Sequence, residues 1–178
     1  MQIVDKIISN FINNKSLYIG EKVTMSEHMI QTAMLAEKAK CSDNLICSSL
    51  LHDYGHFILE NPDELVKLNV DGQHENIGYE YLKNFFKKEI LEPIKYHVLA
   101  KRYLANDKKY FDLLSEASKT SLKLQGGPLN SKECDKLKAQ KYFKPSILLR
   151  KFDEAAKGTD LQMKSIHDYK KLLTSKLI

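Results

Sequence analysis

The stretch His52-Asp53-Tyr54-Gly55-His56 decides how this chain is read. An adjacent His-Asp pair is a compact metal site: the imidazole gives one metal a nitrogen, and the carboxylate's two oxygens can reach a second metal. The dipeptide alone is a weak signal. Its weight depends on other histidines and aspartates at spacings that a helical fold can bring together.

Outward from that stretch the pattern is helical nearly throughout. Ser42 or Asp43 can cap a helix in which Ile46, Cys47, Leu50 and Leu51 lead to His52-Asp53, with Gly55 marking its end or a sharp bend. Thr24-x-x-Glu27 reads as a capping box that places His28 in the first turn of another helix. At the N-terminus Ile3, Val4, Ile7, Ile8, Phe11 and Ile12 recur at helical spacing, so this segment reads as a packing helix rather than a secretory signal. Residues 14–23 form a loop. Asn61-Pro62-Asp63 reads as a turn, and His74 begins a helix carrying Ile77, Tyr81, Leu82, Phe85 and Phe86. Pro93 fits the first turn of the next helix, where His97 and Lys101 share a face. Residues 110–124 read as a helix or broken helix, ended by Gln125-Gly126-Gly127-Pro128. Helices follow from about Ser131, from Ser146 to Lys157, and from about Met163 to Lys176. No strand ladder, repeat or linker interrupts this. The expectation is an all-α bundle forming one domain over residues 1–178, with any metal site in the bundle core.

Composition excludes several classes. No apolar run approaches the roughly 20 residues of a membrane span. The formal charge of +5 is spread over scattered lysines, unlike the dense basic stripe of a nucleic-acid reader. Positive charge near one pocket would suit a small anionic substrate. Cys41, Cys47 and Cys134 form no CxxC pair; an odd number without a secretion signal points to a reducing cytoplasm and to small buried apolar residues.

His28, His52-Asp53, His74, His97 and Asp153 then line up as candidate ligands, the successive histidines 24, 22 and 23 residues apart. Neutral nitrogens with bridging oxygens suit iron, zinc or manganese better than a thiolate or all-oxygen site. Singly, His28 reads as a helix-start cap or surface residue, and Asp153 as an exposed ion-pair partner of Lys157, four residues on. The joint pattern favours the metal. His167 lies in a plain terminal helix and reads as structural or surface.

The arrangement His…His-Asp…His…His…Asp resembles the HD-domain superfamily of metal-dependent helical proteins. There, a single metal needs His28, His52, Asp53 and Asp153; His74 and His97 imply a second, bridged by Asp53 at roughly 3.5–4 Å. Most such proteins are phosphohydrolases. This sequence is more similar to the branch of mixed-valent di-iron HD oxygenases that cleave phosphonates. The closer match rests on Tyr18 and Glu21 before His28, on His56 four after His52, on Lys101 and Arg150, on the segment SKTSLKLQGG at 118–127, and on LLRKFDEAAK at 148–157.

That resemblance implies two iron ions, with dioxygen as co-substrate. It implies Tyr18 as a displaceable iron ligand, Glu21 as the contact of a substrate amine, and His56, Lys101 and Arg150 as phosphonate binders. Ser121 and Gln125 would be further substrate contacts. Tyr18, His56 and Lys101 would act in catalysis. The chemistry agrees: Arg150 can donate two parallel hydrogen bonds to a phosphonate, while Lys101 supplies a point charge. The implied reaction is oxidative cleavage of the carbon–phosphorus bond of a 1-hydroxyphosphonate, with 2-amino-1-hydroxyethylphosphonate giving glycine and phosphate. The partner is thus a small phosphonate, with neither nucleic acid nor membrane. The alternatives are a metal-dependent phosphohydrolase of a nucleotide or small phosphate ester, a relative taking a hydroxyphosphonate without an amine, and a non-catalytic regulatory HD module.

Overall fold

A computed structural model describes residues 2–18, 20–59, 70–159 and 161–178. These hold ten α-helices and no strand. In order they are α1 (Ile3–Asn13), α2 (Met25–Lys38), α3 (Asp43–Leu51), α4 (His74–Leu82), α5 (Lys88–Leu104), α6 (Lys108–Leu113), α7 (Glu116–Leu124), α8 (Ser131–Lys138), α9 (Phe143–Ala155) and α10 (Lys170–Ser175). Short 3₁₀ turns at Tyr54–Phe57 and Ile166–Tyr169 complete the set. Among the described residues no helix is long and apolar enough to cross a membrane. The turn expected at Asn61-Pro62-Asp63 lies outside the described residues.

Local chemistry explains the helix ends that matter for the site. Thr24 closes the expected capping box: Glu27 N–H donates to Thr24 Oγ1 at 3.2 Å, and Thr24 N–H donates to Glu27 Oε2 at 2.7 Å. Ser42, not Asp43, caps α3. The expected break within residues 110–124 falls between α6 and α7, where Ser115 caps α7 by accepting from Ser118 N–H.

The helix from His74 ends at Leu82, leaving Phe85 and Phe86 beyond it, and three helix starts differ from the sequence reading. Pro93 is the sixth residue of α5, not part of its first turn, because the helix begins at Lys88. The partner Pro93 cannot supply is owed to the carbonyl of Glu89, which is exposed and can bond water. Helix α9 starts at Phe143, three residues early, since Pro145 falls in a first turn that needs no N–H donors. The last helix starts late: Ser165 and Asp168 form a capping box on a 3₁₀ turn before α10.

The core joins α1, α2, α3, α5 and the C-terminal segment through Ile7, Met29, Leu50, Leu51, Ile94 and Tyr169. Ile12 is an exception to the expected α1 stripe, at 43% exposed. Cys47 is buried as expected, but Cys41 and Cys134 are only half-buried; all three are free. Helix α9 packs on α5 and α2, and α3 on α2 and α5, so the middle of the bundle is walled by these four helices.

Gly55 is explained by proximity rather than by helix termination. A Cβ there would lie 1.9 Å from the carbonyl oxygen of His74 and 2.9 Å from the amide nitrogen of Gly78. The absence of a side chain lets the 3₁₀ turn press onto α4, bringing His74 up to Asp53. Gly55→Ala must push the two backbones apart. It is expected to lower unfolding free energy by about 1–3 kcal/mol in urea melts. An unchanged midpoint would contradict the close-approach role.

Candidate metal centre

The candidate ligands come from five places in the fold. His28 lies on α2, His52 and Asp53 directly after α3, His74 at the first position of α4, His97 on α5, and Asp153 on α9. All six are buried. They form two groups, His28 with His52 and Asp153, and His74 with His97 and Asp53; within each group the ligand atoms lie within 4.8 Å of one another.

Asp53 divides its two oxygens between them. Its Oδ1 stands 3.2 Å from His74 Nε2 and 3.4 Å from His97 Nε2. Its Oδ2 stands 3.4 Å from His52 Nε2 and 3.6 Å from His28 Nε2. Asp153 Oδ1 closes the first group at 3.3 Å from His28 Nε2.

The other ring nitrogens set the tautomers. Nδ1 of His28, His52 and His97 lies 2.9, 2.8 and 2.6 Å from the carbonyls of Ala156, Ser49 and Ile94. A carbonyl only accepts, so each Nδ1 is assigned the proton and each Nε2 turns a lone pair inward. Inward lone pairs then face one another at 3.2 Å (His28, His52) and 3.1 Å (His74, His97), among carboxylate oxygens. Asp153 Oδ1 is buried and makes no hydrogen bond despite its distance to His28. Acceptors crowded against acceptors require cations. This donor set fits two divalent or trivalent ions of the iron, manganese or zinc type.

Without metal, protons must do that work. Burial disfavours a charged His52, but Asp53 and Asp153 outweigh it and raise its pKa to about 9. For His74 burial is again overcome by Asp53, and the pKa rises. Burial would raise both aspartates. Instead His52 and His74 hold Asp53 well below the usual carboxylate range, and Arg150 does the same for Asp153.

A cavity of about 380 Å³ opens onto the centre. Asp53, His74, His97 and Asp153 line it together with Tyr18, His56, Lys101 and Arg150. Lys101 Nζ donates to Ser121 Oγ at 2.6 Å and to Gln125 Oε1 at 3.0 Å, so both side chains reach the cavity in the register expected for SKTSLKLQGG. Burial, with Arg150 nearby, pulls the Lys101 ammonium down to about 7. His56 stacks on His74 with ring centroids 4.2 Å apart, and its Nδ1 is buried without a partner. Burial, reinforced by His74, drops its pKa to about 3. Tyr18 stacks on His28 at 3.9 Å and 8°, and burial followed by Asp153 and Asp53 raises its pKa. Gly20 holds this loop down: its φ is +75°, and a Cβ would meet Ala117 of α7 at 2.7 Å.

Two expectations take a different form. Glu21 does not line the cavity; its Oε1 lies 3.1 Å from Lys157 Nζ. Lys157 therefore does not pair with Asp153. It bonds Glu154 Oε1 at 2.7 Å and the hydroxyls of Ser115 and Ser118 at 2.9 and 3.1 Å. Arg150 faces the cavity but is held by Asp153 and Glu154, and its Nε donates to Tyr110 Oη at 2.9 Å. The sequence reading missed Glu154 and Tyr110. Glu154 was within reach, four residues after Arg150 on one helix face. Tyr110 comes from α6, and nothing local announces it. His167 is exposed on the terminal 3₁₀ turn, as expected.

Because Asp53 and Asp153 raise the His52 pKa to about 9, the metal-free centre holds a proton there near neutrality, and metal uptake must expel it. Affinity for Fe(II) is expected to strengthen with rising pH up to about 9, with proton release seen by calorimetry in buffers of different ionisation enthalpy. Uptake without proton release near neutral pH would contradict this charge assignment.

Comparison with known proteins agrees with this geometry. Residues 25–144 match the HD domain family. That match takes in every candidate ligand except Asp153, which α9 supplies from beyond it. The chain is 44% identical over 146 residues to the [1-hydroxy-2-(trimethylamino)ethyl]phosphonate dioxygenase (glycine-betaine-forming) of Leisingera caerulea, covering 82% of this chain and 74% of that one. It is 38% identical over 154 residues to the hydroxymethylphosphonate dioxygenase of Gimesia maris, covering 85% and 77%. An uncharacterised protein of Acanthamoeba polyphaga mimivirus is 36% identical over 160 residues, covering 88% and 73%. The chain belongs to the HD-domain family, in the oxygenase group that contains these phosphonate dioxygenases.

Proposed function

We propose that this protein uses two irons and dioxygen to cleave the carbon–phosphorus bond of a 1-hydroxyphosphonate. The observation that carries the reading is the juxtaposition at one cavity. Asp53 is divided between two histidine groups, and the cationic wall of Lys101 and Arg150 stands beside them. For 2-amino-1-hydroxyethylphosphonate the reaction balances as substrate plus dioxygen giving glycine plus phosphate. One oxygen atom ends in each product, and carbon 1 is oxidised from alcohol to carboxylate.

When bound, two irons supply dioxygen activation and one-electron oxidation. His28, His52, Asp53 and Asp153 would hold one, and Asp53, His74 and His97 the other. Lys101 would meet a phosphonate oxygen with its ammonium, oriented by Ser121 and Gln125. A dianion beside Lys101 opposes the burial that lowers its pKa, so substrate itself would secure the charged form. Arg150 would clamp a second oxygen, and the open Nδ1 of His56 would serve a third. Tyr18, stacked on His28 and lining the cavity, would cede its position to substrate. Val98, Ala117 and Leu124 line the cavity with apolar surface, which limits water at the reacting carbon.

The second reading concerns the substrate's tail. Glu21 would contact an amine, yet its Oε1 stands 3.1 Å from Lys157 Nζ as an ion pair without a hydrogen bond. That pairing favours a hydroxyphosphonate without an amine, unless the amine displaces Lys157.

The test is phosphate release, with and without oxygen, from 2-amino-1-hydroxyethylphosphonate, its trimethylammonium analogue and hydroxymethylphosphonate. Protein is purified anaerobically and its metal measured by elemental analysis. We expect about two irons per chain and no release without oxygen. Oxygen-independent phosphate release from esters would contradict the oxygenase reading. Lys101→Ala is expected to cut kcat/KM for the preferred phosphonate by about 10²–10³-fold. Wild-type kinetics in that variant would remove Lys101 from the site. Glu21→Ala should weaken the amino substrate far more than hydroxymethylphosphonate, and equal effects would sink the amine contact.

A further inference from the structure

Three of the four inward histidines lean on a backbone carbonyl; His74 does not. The reason is its place in the fold. His52 and His97 each donate from Nδ1 to the carbonyl three residues earlier, a route open where a helical turn lies behind. His28 reaches across the bundle to Ala156. His74 is the first residue of α4, and Gln73 before it is left-handed, with φ 47°. No turn precedes it. What stands behind His74 is the carboxylate of Glu75, with Oε2 3.8 Å from Nδ1.

Glu75 is only 8% exposed. Its Oε1 accepts from Asn76 Nδ2 at 3.2 Å, while Oε2 is buried and makes no hydrogen bond. No lysine or arginine pairs with it among the described residues; its ion-pair contact is with His74. A buried carboxylate without a cation is costly unless positive charge lies close by. On the far side of the His74 ring, His74 Nε2, His97 Nε2 and Asp53 Oδ1 converge, and a cation there would compensate Glu75 through the imidazole.

We propose that Glu75 is the positioning residue of this second metal: its negative charge, 3.8 Å behind the ring, favours the His74 tautomer with the Nδ1 proton outward and the Nε2 lone pair inward. The inference rests on the two-metal reading of the centre. It accounts for an asymmetry between the groups. Asp153 gives the first group a carboxylate of its own; the second shares only Asp53, and Glu75 supplies its charge from behind.

The test titrates the metal-free full-length protein with Fe(II) under anaerobic conditions, read by elemental analysis and Mössbauer spectroscopy. Wild type should take up two metals. Glu75→Leu should keep one tight metal and bind the other roughly 10–100-fold more weakly. Glu75→Gln keeps an acceptor for Nδ1 without the charge and should fall between. Thermal melts of the metal-free variants separate this from a packing role. Glu75→Gln, which keeps the size of the side chain and its bond from Asn76, should melt with wild type before metal is added. Two wild-type affinities in Glu75→Leu would overturn the proposal, as would a loss of metal-free stability large enough to explain weaker binding. A wild type that binds only one metal would sink the two-metal reading itself, and the role of Glu75 with it.

Discussion

One carboxylate is the constraint on which the rest depends. Asp53 turns one oxygen to His28 and His52 and the other to His74 and His97. For that to happen, five segments must converge on a single buried side chain. Helix α3 delivers Asp53 from its C-terminal end, Gly55 lets α4 come into backbone contact, and α2, α5 and α9 supply the remaining walls. Inward lone pairs and carboxylate oxygens at 3.1–3.6 Å oppose one another unless cations intervene. The fold thus concentrates electrostatic strain at one point, and metal binding is the physical release.

The surroundings extend the same logic outward. Arg150 bonds Asp153 and Glu154, Glu154 bonds Lys157, and Lys157 pairs with Glu21 on the loop that carries Tyr18. This alternating chain of charges links the metal end of the cavity to its loop. Any anionic ligand that recruits Arg150 must compete with Asp153 and Glu154, so ligand and metal occupancy are coupled through that guanidinium. The Glu21–Lys157 pair likewise makes the charge seen by a substrate's far end depend on whether this loop contact is intact.

Much of this is legible in the sequence alone. The ligand set follows from residue type and spacing, since histidines 24, 22 and 23 apart on successive helices can meet only inside a bundle. The Thr24–Glu27 box announced its helix because capping is local chemistry. Features that depend on distant partners were not readable. Gly55 has an unremarkable φ, and its necessity comes from α4, which local pattern does not place. Pro93 fits a first turn by residue type, yet the helix starts five residues earlier, at Lys88. Glu21 is given by the resemblance as an amine contact, and its ion-pair partner, Lys157, lies far along the chain where no local pattern links the two. Helical period shows which residues share a face; it does not say which of two nearby carboxylates a lysine takes.

The central claim is that Asp53 joins two metals into one unit. The most direct measurement is electron paramagnetic resonance of the iron-loaded protein after partial oxidation, with Mössbauer spectra of the same sample. A shared carboxylate bridge predicts a spin-coupled ferrous–ferric pair that is lost in Asp53→Asn. Independent high-spin ferric and ferrous signals in the wild type, unchanged in that variant, would contradict the account.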